Sequence, residues 1–324
     1  MIKRIAAVSI FLLGVAWAAV SAPIDMHLDL VAGDTFVMHT ETEQIIKEEV
    51  YGFKISFRQW IKTEYAYRVV TAAPDDTYEL EVTINNMEVK IDSLDGDIGV
   101  ERLGGMSALM EESFSAILEK QLPGETFFIQ VTDKGVIEEI EGLEGVVDRL
   151  MRVFETETAG TAPAREDLEG FMGDEFFTNS WRFMFSYIAP NPVSAGQTWE
   201  AVFTRSVQFP VTISALYTLT DITDEALFIE SEGVISSSDE LHDSAGGRFQ
   251  IEYSISGKQG GSLLVDPETN WLTSMEMEQS IQGELLLFSK AEVKTGEDGT
   301  IELPSETVPA GKIPMEIETR VKVY

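Results

Sequence analysis

An acidic loop near the end of the first third of the chain holds the residues whose types best suit metal chemistry. Asp92, Asp95, Asp97 and Glu101 place four carboxylates within ten residues. Hard oxygen ligands of this kind bind calcium, which takes six to eight oxygens. Their spacing differs from that of an EF-hand loop, so a polar turn without a metal is the alternative interpretation. These residues are our metal-site candidate, and we predict no cofactor.

Catalytic chemistry has little support in the sequence. The chain has three histidines, His27, His39 and His242, and no two of them have the spacing of a metal pair. The H-E-x-x-H, G-x-S-x-G and P-loop patterns do not occur in it. Pairs of carboxylates could hydrolyse glycosides, but 56 acidic residues make such pairs unavoidable. We therefore predict no catalytic residues, and a hydrolase ranks third among the functions considered.

The segment from Asp174 to Ile188 is the least ordinary stretch of the chain, because eight of its residues are large and apolar. If it forms a helix, two apolar stripes cover an arc of roughly 200°, which is wider than a surface helix needs. That width predicts a core plug buried on two sides. The other interpretation is that part of the surface lines an apolar pocket. The ligand-binding residues would then be Phe177, Trp181, Met184 and Phe185.

The first 22 residues have the pattern of a targeting signal. Lys3 and Arg4 precede an apolar run that ends at Val20, and small residues follow up to Ala22. The run is about sixteen residues long, shorter than the roughly twenty needed to span a bilayer. An uncleaved anchor is the alternative. We predict an exported, soluble protein, periplasmic or extracellular, with no stable membrane span after signal cleavage.

Composition limits the partners of the protein. The chain has no cysteine, which excludes disulfides and thiolate metal sites. Its net charge of −33 repels nucleic acid, so we predict no nucleic-acid partner. The expected partners are an apolar small molecule or another envelope protein.

Most of the chain has the alternating hydrophobicity of strands with one buried face. Tyr78, Leu80, Val82 and Ile84 follow this period of two, and the phase slips at Asn85-Asn86, which predicts a β-bulge. Helical spacing is confined to the middle of the chain, at 106–121, after 143 and after 174. We therefore predict a mainly β (α+β) fold. It consists of two related curved antiparallel β-sheet halves with about three helices covering or plugging them.

The two halves share short motifs in the same order. Gly33-Asp-Thr-Phe36 corresponds to Gly196-Gln-Thr-Trp199, and strands with similar patterns follow each of them. This order favours an internal repeat, although β-meanders resemble one another in any case. The predicted organisation is a signal peptide (1–22), a first β-rich half with one inserted helix (23–140), a helical connector (141–195) and a second β-rich half (196–324).

The sequence resembles a family of secreted bacterial proteins known as a domain of unknown function, family 6263. The resemblance includes the two Gly-x-Thr-aromatic motifs, Phe171-Met-Gly-Asp-Glu175 and the final Ile313-Pro-Met315 strand. It spans most of the chain after the signal, and it supplies no catalytic residues. More distantly, the pattern looks like the half-barrels of LolA- and LolB-type periplasmic lipoprotein carriers. This second likeness is architectural, and a fold does not establish a function.

Two functions fit these observations. The first is an exported envelope protein that binds an apolar ligand, such as a lipid or acyl chain, under a curved sheet. The alternative is a structural or protein-interaction module of the cell envelope without a small ligand. An apolar chamber inside the fold would favour the first function.

Overall fold

The computed structural model of the protein describes residues 22–50, 53–94, 112–158, 162–205, 210–237, 241–243, 249–289, 294–295, 301–302 and 311–324. Residues 1–21 of the predicted signal peptide lie outside this part of the chain. So do three residues of the predicted metal site, Asp95, Asp97 and Glu101, and the first part of the helix predicted at 106–121, residues 106–111. The strands described are β1 (Thr35–Val50), β2 (Phe53–Ala72), β3 (Thr77–Ser93), β4 (Thr126–Thr132), β5 (Ile137–Glu141), β6 (Thr198–Arg205), β7 (Val211–Ile222), β8 (Leu227–Ser237), β9 (Leu241–Asp243), β10 (Phe249–Val265), β11 (Leu272–Ser289), β12 (Lys294–Thr295), β13 (Ile301–Glu302) and β14 (Gly311–Val323). The helices described are α1 (Glu112–Gln121), α2 (Leu143–Glu157), α3 (Arg165–Met172) and α4 (Asp174–Phe185).

Strand β3 shows how the hydrophobic alternation becomes structure. Its four alternating apolar residues from Tyr78 to Ile84 are at most 6% exposed. The register with β2 then shifts, which leaves Asn85 as an extra residue, and Met87 and Val89 are again buried. The predicted bulge is therefore confirmed. It keeps apolar residues on one face although their spacing changes from two to three.

One continuous antiparallel sheet contains both halves of the chain. Its order is β5-β4-β3-β2-β1-β14-β11-β10-β8-β7-β6, and β9 adds to one end of β10. Two meanders of successive strands therefore meet at β14, which pairs with β1 on one side and β11 on the other. The sheet is open, with β5 and β6 at its edges. The prediction of a mainly β fold built from antiparallel halves is confirmed; β12 and β13 form a separate ribbon.

The turns that open the two meanders match in detail. The Gly33 N–H donates to the Val69 carbonyl at 2.9 Å, and the Gly196 N–H donates to the Leu219 carbonyl at 2.7 Å. Both glycines have positive φ, 101° and 84°, a region that glycine adopts without steric cost. In each half a register shift follows immediately after the accepting residue. Such correspondence is what an internal repeat produces, while the boundaries 1–22, 23–140, 141–195 and 196–324 stay predictions.

The helices cover one end of the sheet. Helix α1 contacts β3, α2 contacts β4 and α4 contacts β5. Helix α4 begins at Asp174, as expected, but it ends at Phe185 and not at Ile188. The Ile188 N–H donates to the Phe185 carbonyl at 3.2 Å, and this tighter i+3 turn ends the helix. No helix in the described part of the chain combines the length and the apolar character needed to cross a membrane.

Candidate ligand-binding face of the sheet

Helix α4 forms the centre of an aromatic core beneath the helices. Its residues Phe177, Trp181, Met184 and Phe185 are 5%, 1%, 7% and 2% exposed. The Trp181 Nε1–H donates to the carbonyl of Gly135 at 2.9 Å, in the turn between β4 and β5. The Trp181 ring stacks on Phe185 with 4.3 Å between centroids. The segment is therefore held by both packing and a buried hydrogen bond.

This helix contacts both halves of the sheet. The ring of Phe177 meets Phe127 of β4 edge-on at 4.9 Å, whereas Trp181 meets Trp271, just before β11, at 5.8 Å. Phe183 packs edge-on against Phe203 of β6 at 6.4 Å. These contacts are those of a core plug between the halves. Ligand contact by the four residues first proposed on α4 stays a prediction.

A second apolar cluster lies on the same face of the sheet, farther from the helices. We call this face, which carries the buried side chains, the inner face. The second cluster consists of ten side chains that are 2–9% exposed: Ile46, Phe57, Phe203, Val211, Ile213, Ile235, Ile255, Ile281, Met315 and Ile317. Phe183 of α4 packs against both this cluster and the main core. The inner face is therefore apolar well beyond its helix-covered end.

The second cluster continues into apolar side chains that are only partly buried. We call this set the rim: Ile55, Ile251, Tyr253, Leu285, Leu287 and Ile313. Cross-strand pairing places Leu285 of β11 between Ile313 of β14 and Tyr253 of β10. Adjoining apolar side chains that stay accessible to solvent often mark a binding surface. The rim is a part of the described inner face where adjoining apolar side chains stay partly accessible to solvent.

A row of polar side chains separates the second cluster from the main core. This glutamine row crosses β2, β1, β14, β11 and β10 in one register, and its members are 4–6% exposed. Its members, in that order, are Gln59, Gln44, Thr319, Gln279 and Gln259. A transverse polar row inside an apolar interior is unusual, because buried amides need hydrogen-bond partners.

The hydrogen bonds within the row are incomplete. Gln44 Nε2 donates to Thr319 Oγ1 at 3.2 Å, and Gln279 Nε2 donates to Gln259 Oε1 at 3.1 Å. The Nε2 atoms of Gln59 and Gln259 have no partner among the described residues. A buried donor left without an acceptor costs about 1–3 kcal/mol. The row therefore reduces stability unless another molecule satisfies these donors.

Sequence reasoning did not identify this row, although a signal for it exists. Gln279 lies between Met277 and Ile281, and Thr319 lies between Ile317 and Val321, in each case on the apolar phase of the strand. A polar residue on that phase points inward. Several such residues in paired strands could have been recognised only after the pairing was known.

Glu48 is an ionisable group on the inner face next to the second cluster. It pairs across strands with Ile55 and with Met315. Burial raises the pKa of the Glu48 carboxyl above its ordinary value of 4.5. Burial therefore makes this carboxyl easier to protonate in the folded protein than in water.

Two large cavities border the same central strands from the opposite, outer face. One, of about 800 Å³, is lined mainly by outward side chains such as Lys47, Lys54 and Glu284. The other, of about 680 Å³, is lined by Glu43, Lys258 and Arg320 among others. The first cavity is also lined by Ile55 and Met315, and neither cavity is lined by a residue of α4. The chamber expected near α4 is thus not provided by either cavity.

Of the four residues in the predicted metal site, Asp92 lies within the described part of the chain. Asp92 is exposed, and its Oδ2 lies 3.9 Å from Lys90 Nζ. Within the described ranges no group of three or more histidine or acidic side chains could hold a metal ion. His27 and His39 lie 3.3 Å from Asp25 and Glu64, in separate surface pairs. The remaining carboxylates of the acidic loop fall outside the described residues, so that calcium site stays a prediction.

Two solved structures resemble the chain distantly. A lipovitellin structure, described as showing lipid–protein interactions, is 12% identical, with a TM-score of 0.44 over 91% of this chain and 25% of that one. The chain thus spans about a quarter of the lipovitellin chain. An outer membrane channel from Pseudomonas putida F1 is 7% identical, with a TM-score of 0.20 over 92% and 98% of the two chains. Likenesses at these TM-scores establish neither fold nor function.

Sequence comparison gives a firmer result. No curated protein matches the chain. A family model described as a family of unknown function matches residues 75–272, which is more than half of the 324 residues. The matched region runs from the turn before β3 to the start of β11, so it includes the helices and much of both meanders. The predicted resemblance is confirmed: the chain belongs to the family of unknown function DUF6263.

Proposed function

We propose that this protein is an exported envelope protein that binds an apolar ligand, such as a lipid or an acyl chain, on the inner face of its sheet. The rim is the observation that carries this proposal. Six apolar side chains remain partly exposed beside a buried apolar cluster, on a face whose other end is covered by helices. The apolar signal at the start of the sequence supports export.

The location differs from the one that the sequence alone favoured. A ligand beside Phe177 or Trp181 would have to separate rings that stack at 4.3–6.3 Å. A ligand on the rim can contact Tyr253 and Leu285 without opening the aromatic core. We therefore place the ligand first at the rim and treat the α4 residues as the far wall of the same interior.

Extraction of the purified protein tests the proposal. Protein isolated under non-denaturing conditions is extracted with organic solvent, and the extract is analysed by mass spectrometry. We expect a lipid or acyl species in stoichiometric amount. A Leu285→Glu variant, which puts a charge on the rim, should retain less than a tenth of it. Glu276→Gln on the outward face of the same strand serves as the control. Ligand-free wild-type protein that also fails to take up added lipid would exclude this function.

One observation supports the alternative, an interaction module without a small ligand. On the outer face near the β6 edge, Val202, Leu216 and Val234 are 62%, 46% and 57% exposed. Val202 and Val234 face the same residue of β7, Ser214, from either side, so the three apolar groups are neighbours. A Val202→Glu and Val234→Glu double variant should abolish recovery of an envelope partner in a pull-down. Unchanged recovery would contradict this role.

A further inference from the structure

Arg205 places a cation on the inner face of the sheet. It is the last residue of β6 and has the same phase as Trp199 and Phe203, which are both buried. Its side chain is only partly exposed, and it pairs across strands with the buried Val211 of the second cluster. A guanidinium stays charged in such a setting, because its pKa lies far above neutral pH. The β6 side of the second cluster therefore carries a fixed positive charge.

No described carboxylate neutralises this charge. Burial lowers the pKa of the Arg205 guanidinium, and no hydrogen bond or neighbouring charge within the described ranges counteracts that effect. The acidic residues within β6, β7 and β8 are exposed: Glu200, Asp221, Glu230 and Glu232. A cation withdrawn from water without a partner is costly. This position therefore favours an anionic partner that the described chain does not supply.

A second arginine adds to the positive charge at this end of β6. Arg182 of α4 donates from Nη1 to the carbonyl of Thr204 at 3.4 Å, and Thr204 directly precedes Arg205. The acidic residues of α4, Asp174 and Glu175, lie in its first turn, about two turns away. The two arginines thus form a local positive region in a chain whose net charge is −33.

The rim lies at a moderate distance from this charge. Arg205 pairs with Val211 of β7, and Val211 pairs with Ser237 of β8. The N–H of Ile255 on β10 donates to Ser237 Oγ at 3.0 Å, and Tyr253 of the rim is the next inner-face residue on β10. Three strand spacings amount to about 14 Å. The side chains between the cation and the rim are uncharged, so one face presents a charged site and an accessible apolar surface a chain length apart.

We infer that the ligand is an anionic amphiphile whose carboxylate or phosphate group pairs with Arg205 and whose apolar chain extends toward the rim. This inference rests on the proposed function, because it names the chemical class of the ligand bound on the inner face. The planar guanidinium presents a fork of N–H groups that matches either anion. A neutral lipid would leave the charge of Arg205 without a partner.

Two lipids with the same chain length test the inference. The Kd values of laurate and of 1-dodecanol for delipidated protein are measured by isothermal titration at mildly alkaline pH, where laurate is ionised. The net charge of the protein repels laurate, so a preference for laurate requires a local cation. We expect the wild-type protein to bind laurate about tenfold more tightly than dodecanol, the size of one charged hydrogen bond. In Arg205→Gln this preference should be lost.

Arg68→Gln is the matched control. Arg68 lies on β2, far from β6 in the strand order, with its own ion pair to Glu81 at 2.8 Å, and the substitution changes the net charge of the protein by the same amount. The preference for laurate should persist in this variant. The inference is overturned if the wild type binds laurate no more tightly than dodecanol, if Arg205→Gln keeps the preference, or if both variants lose it equally.

Two further outcomes separate this inference from its neighbours. Inorganic phosphate that binds the wild-type protein as tightly as laurate would indicate a site for a free anion, and it would overturn the assignment of an amphiphile. Binding of neither laurate nor dodecanol by the wild type rejects the proposed function itself.

A second measurement does not depend on a variant that folds. The carboxyl carbon of laurate is labelled with ¹³C, and its chemical shift is followed against pH in the complex with the wild-type protein. An apolar site without a cation raises the pKa of a carboxyl, whereas a neighbouring guanidinium lowers it. Titration at a lower pH than that of the same laurate in nonionic micelles supports the inference. Titration at the same or a higher pH overturns it.

Discussion

A single indole, that of Trp181, joins three parts of the core. It donates to the carbonyl of Gly135 and packs against Tyr67 and Trp271, which lie in different halves of the chain. Trp181→Phe leaves that buried carbonyl without its donor, so we expect a loss of about 1–3 kcal/mol in the free energy of unfolding. Trp181→Ala should cost about 3–5 kcal/mol. Urea denaturation measures both values.

Trp60 provides the comparison for this prediction. It is partly exposed on the outer face of β2, and its Nε1–H donates to Glu41 at 2.9 Å. Water can replace that bond, so Trp60→Phe should cost less than about 1 kcal/mol. If the two Phe variants lose equal stability, the assignment of Trp181 as the core anchor is wrong.

Glu48 gives a prediction about pH. Burial raises its pKa in the folded state, so protonation favours folding. Its stabilising contribution is fully present below the ordinary pKa of 4.5 and is lost as the pH rises through the folded-state value. Glu48→Gln, which stays neutral, should therefore match the wild type at low pH and be more stable at pH 7. Thermal melts across this range measure the difference, and a variant that is less stable at pH 7 would contradict the burial argument.

The glutamine row shows where sequence reasoning at the residue scale stops. Period-two patterns identify which side chains share a face, and they place Gln279 on the same face as Met277. These patterns do not show which strands are neighbours in the sheet. The alignment of Gln279 with Gln259 and with Thr319 follows from register, which only the folded sheet defines. The rim was missed for the same reason, because it too depends on which strands are neighbours. The burial of Trp181 and Phe185 was predictable because it follows from the apolar pattern of a single helix.

At the scale of the element, the bulge in β3 preserves the inner face. Ile84 and Met87 both point inward because Asn85 is an extra residue between them. Deletion of Asn85 should therefore restore regular alternation with the same residues inside. The loss is one exposed hydrogen bond to Glu64, so we expect a cost below about 1 kcal/mol. The denaturation curve and the near-ultraviolet circular dichroism spectrum of this variant should remain close to those of the wild-type protein.

Insertion of one alanine after Asn85 is the opposing test. If the one-residue bulge is kept, Met87 and Val89 move to the wet face, and the loss of burial costs about 1.5–3 kcal/mol for each. If the bulge is lost, both stay inside, but the rest of β3 must shift by two residues against β2. Equal tolerance of the deletion and the insertion would mean that β3 has another register in solution.

Secondary structure was predictable from local signals, and the pairing of distant strands was not. The bulge at Asn85 and the start of α4 at Asp174 both follow from periodicity over a few residues. The end of α4 was placed three residues too late, because its apolar pattern continues to Ile188 after the helical hydrogen bonds stop. Local pattern also indicated two related halves, but it gave no reason for β14 to lie between them.

At the scale of the whole molecule, β14 unites the sheet. It pairs with β1 from Met315 to Val323 and with β11 from Gly311 to Val323, so both meanders have it as a neighbour. Removal of residues 311–324 leaves β1 and β11 with unpaired edges and exposes Ile46 and Ile281, the partners of Ile317 in the second cluster. We expect the shortened protein to lose its cooperative unfolding transition and to exchange the amide protons of β1 and β11 much faster.

A synthetic peptide with the sequence of 311–324 should restore the sheet when it is added to the shortened protein. The peptide provides the same backbone partners and the apolar side chains of Met315 and Ile317, which face the second cluster. A peptide with Ile317→Glu keeps the backbone but buries a charge, so it should bind at least tenfold more weakly. Hydrogen exchange of β1 and β11 measures the recovery. If the two meanders keep wild-type protection without either peptide, then each half is stable alone and β14 is an accessory strand.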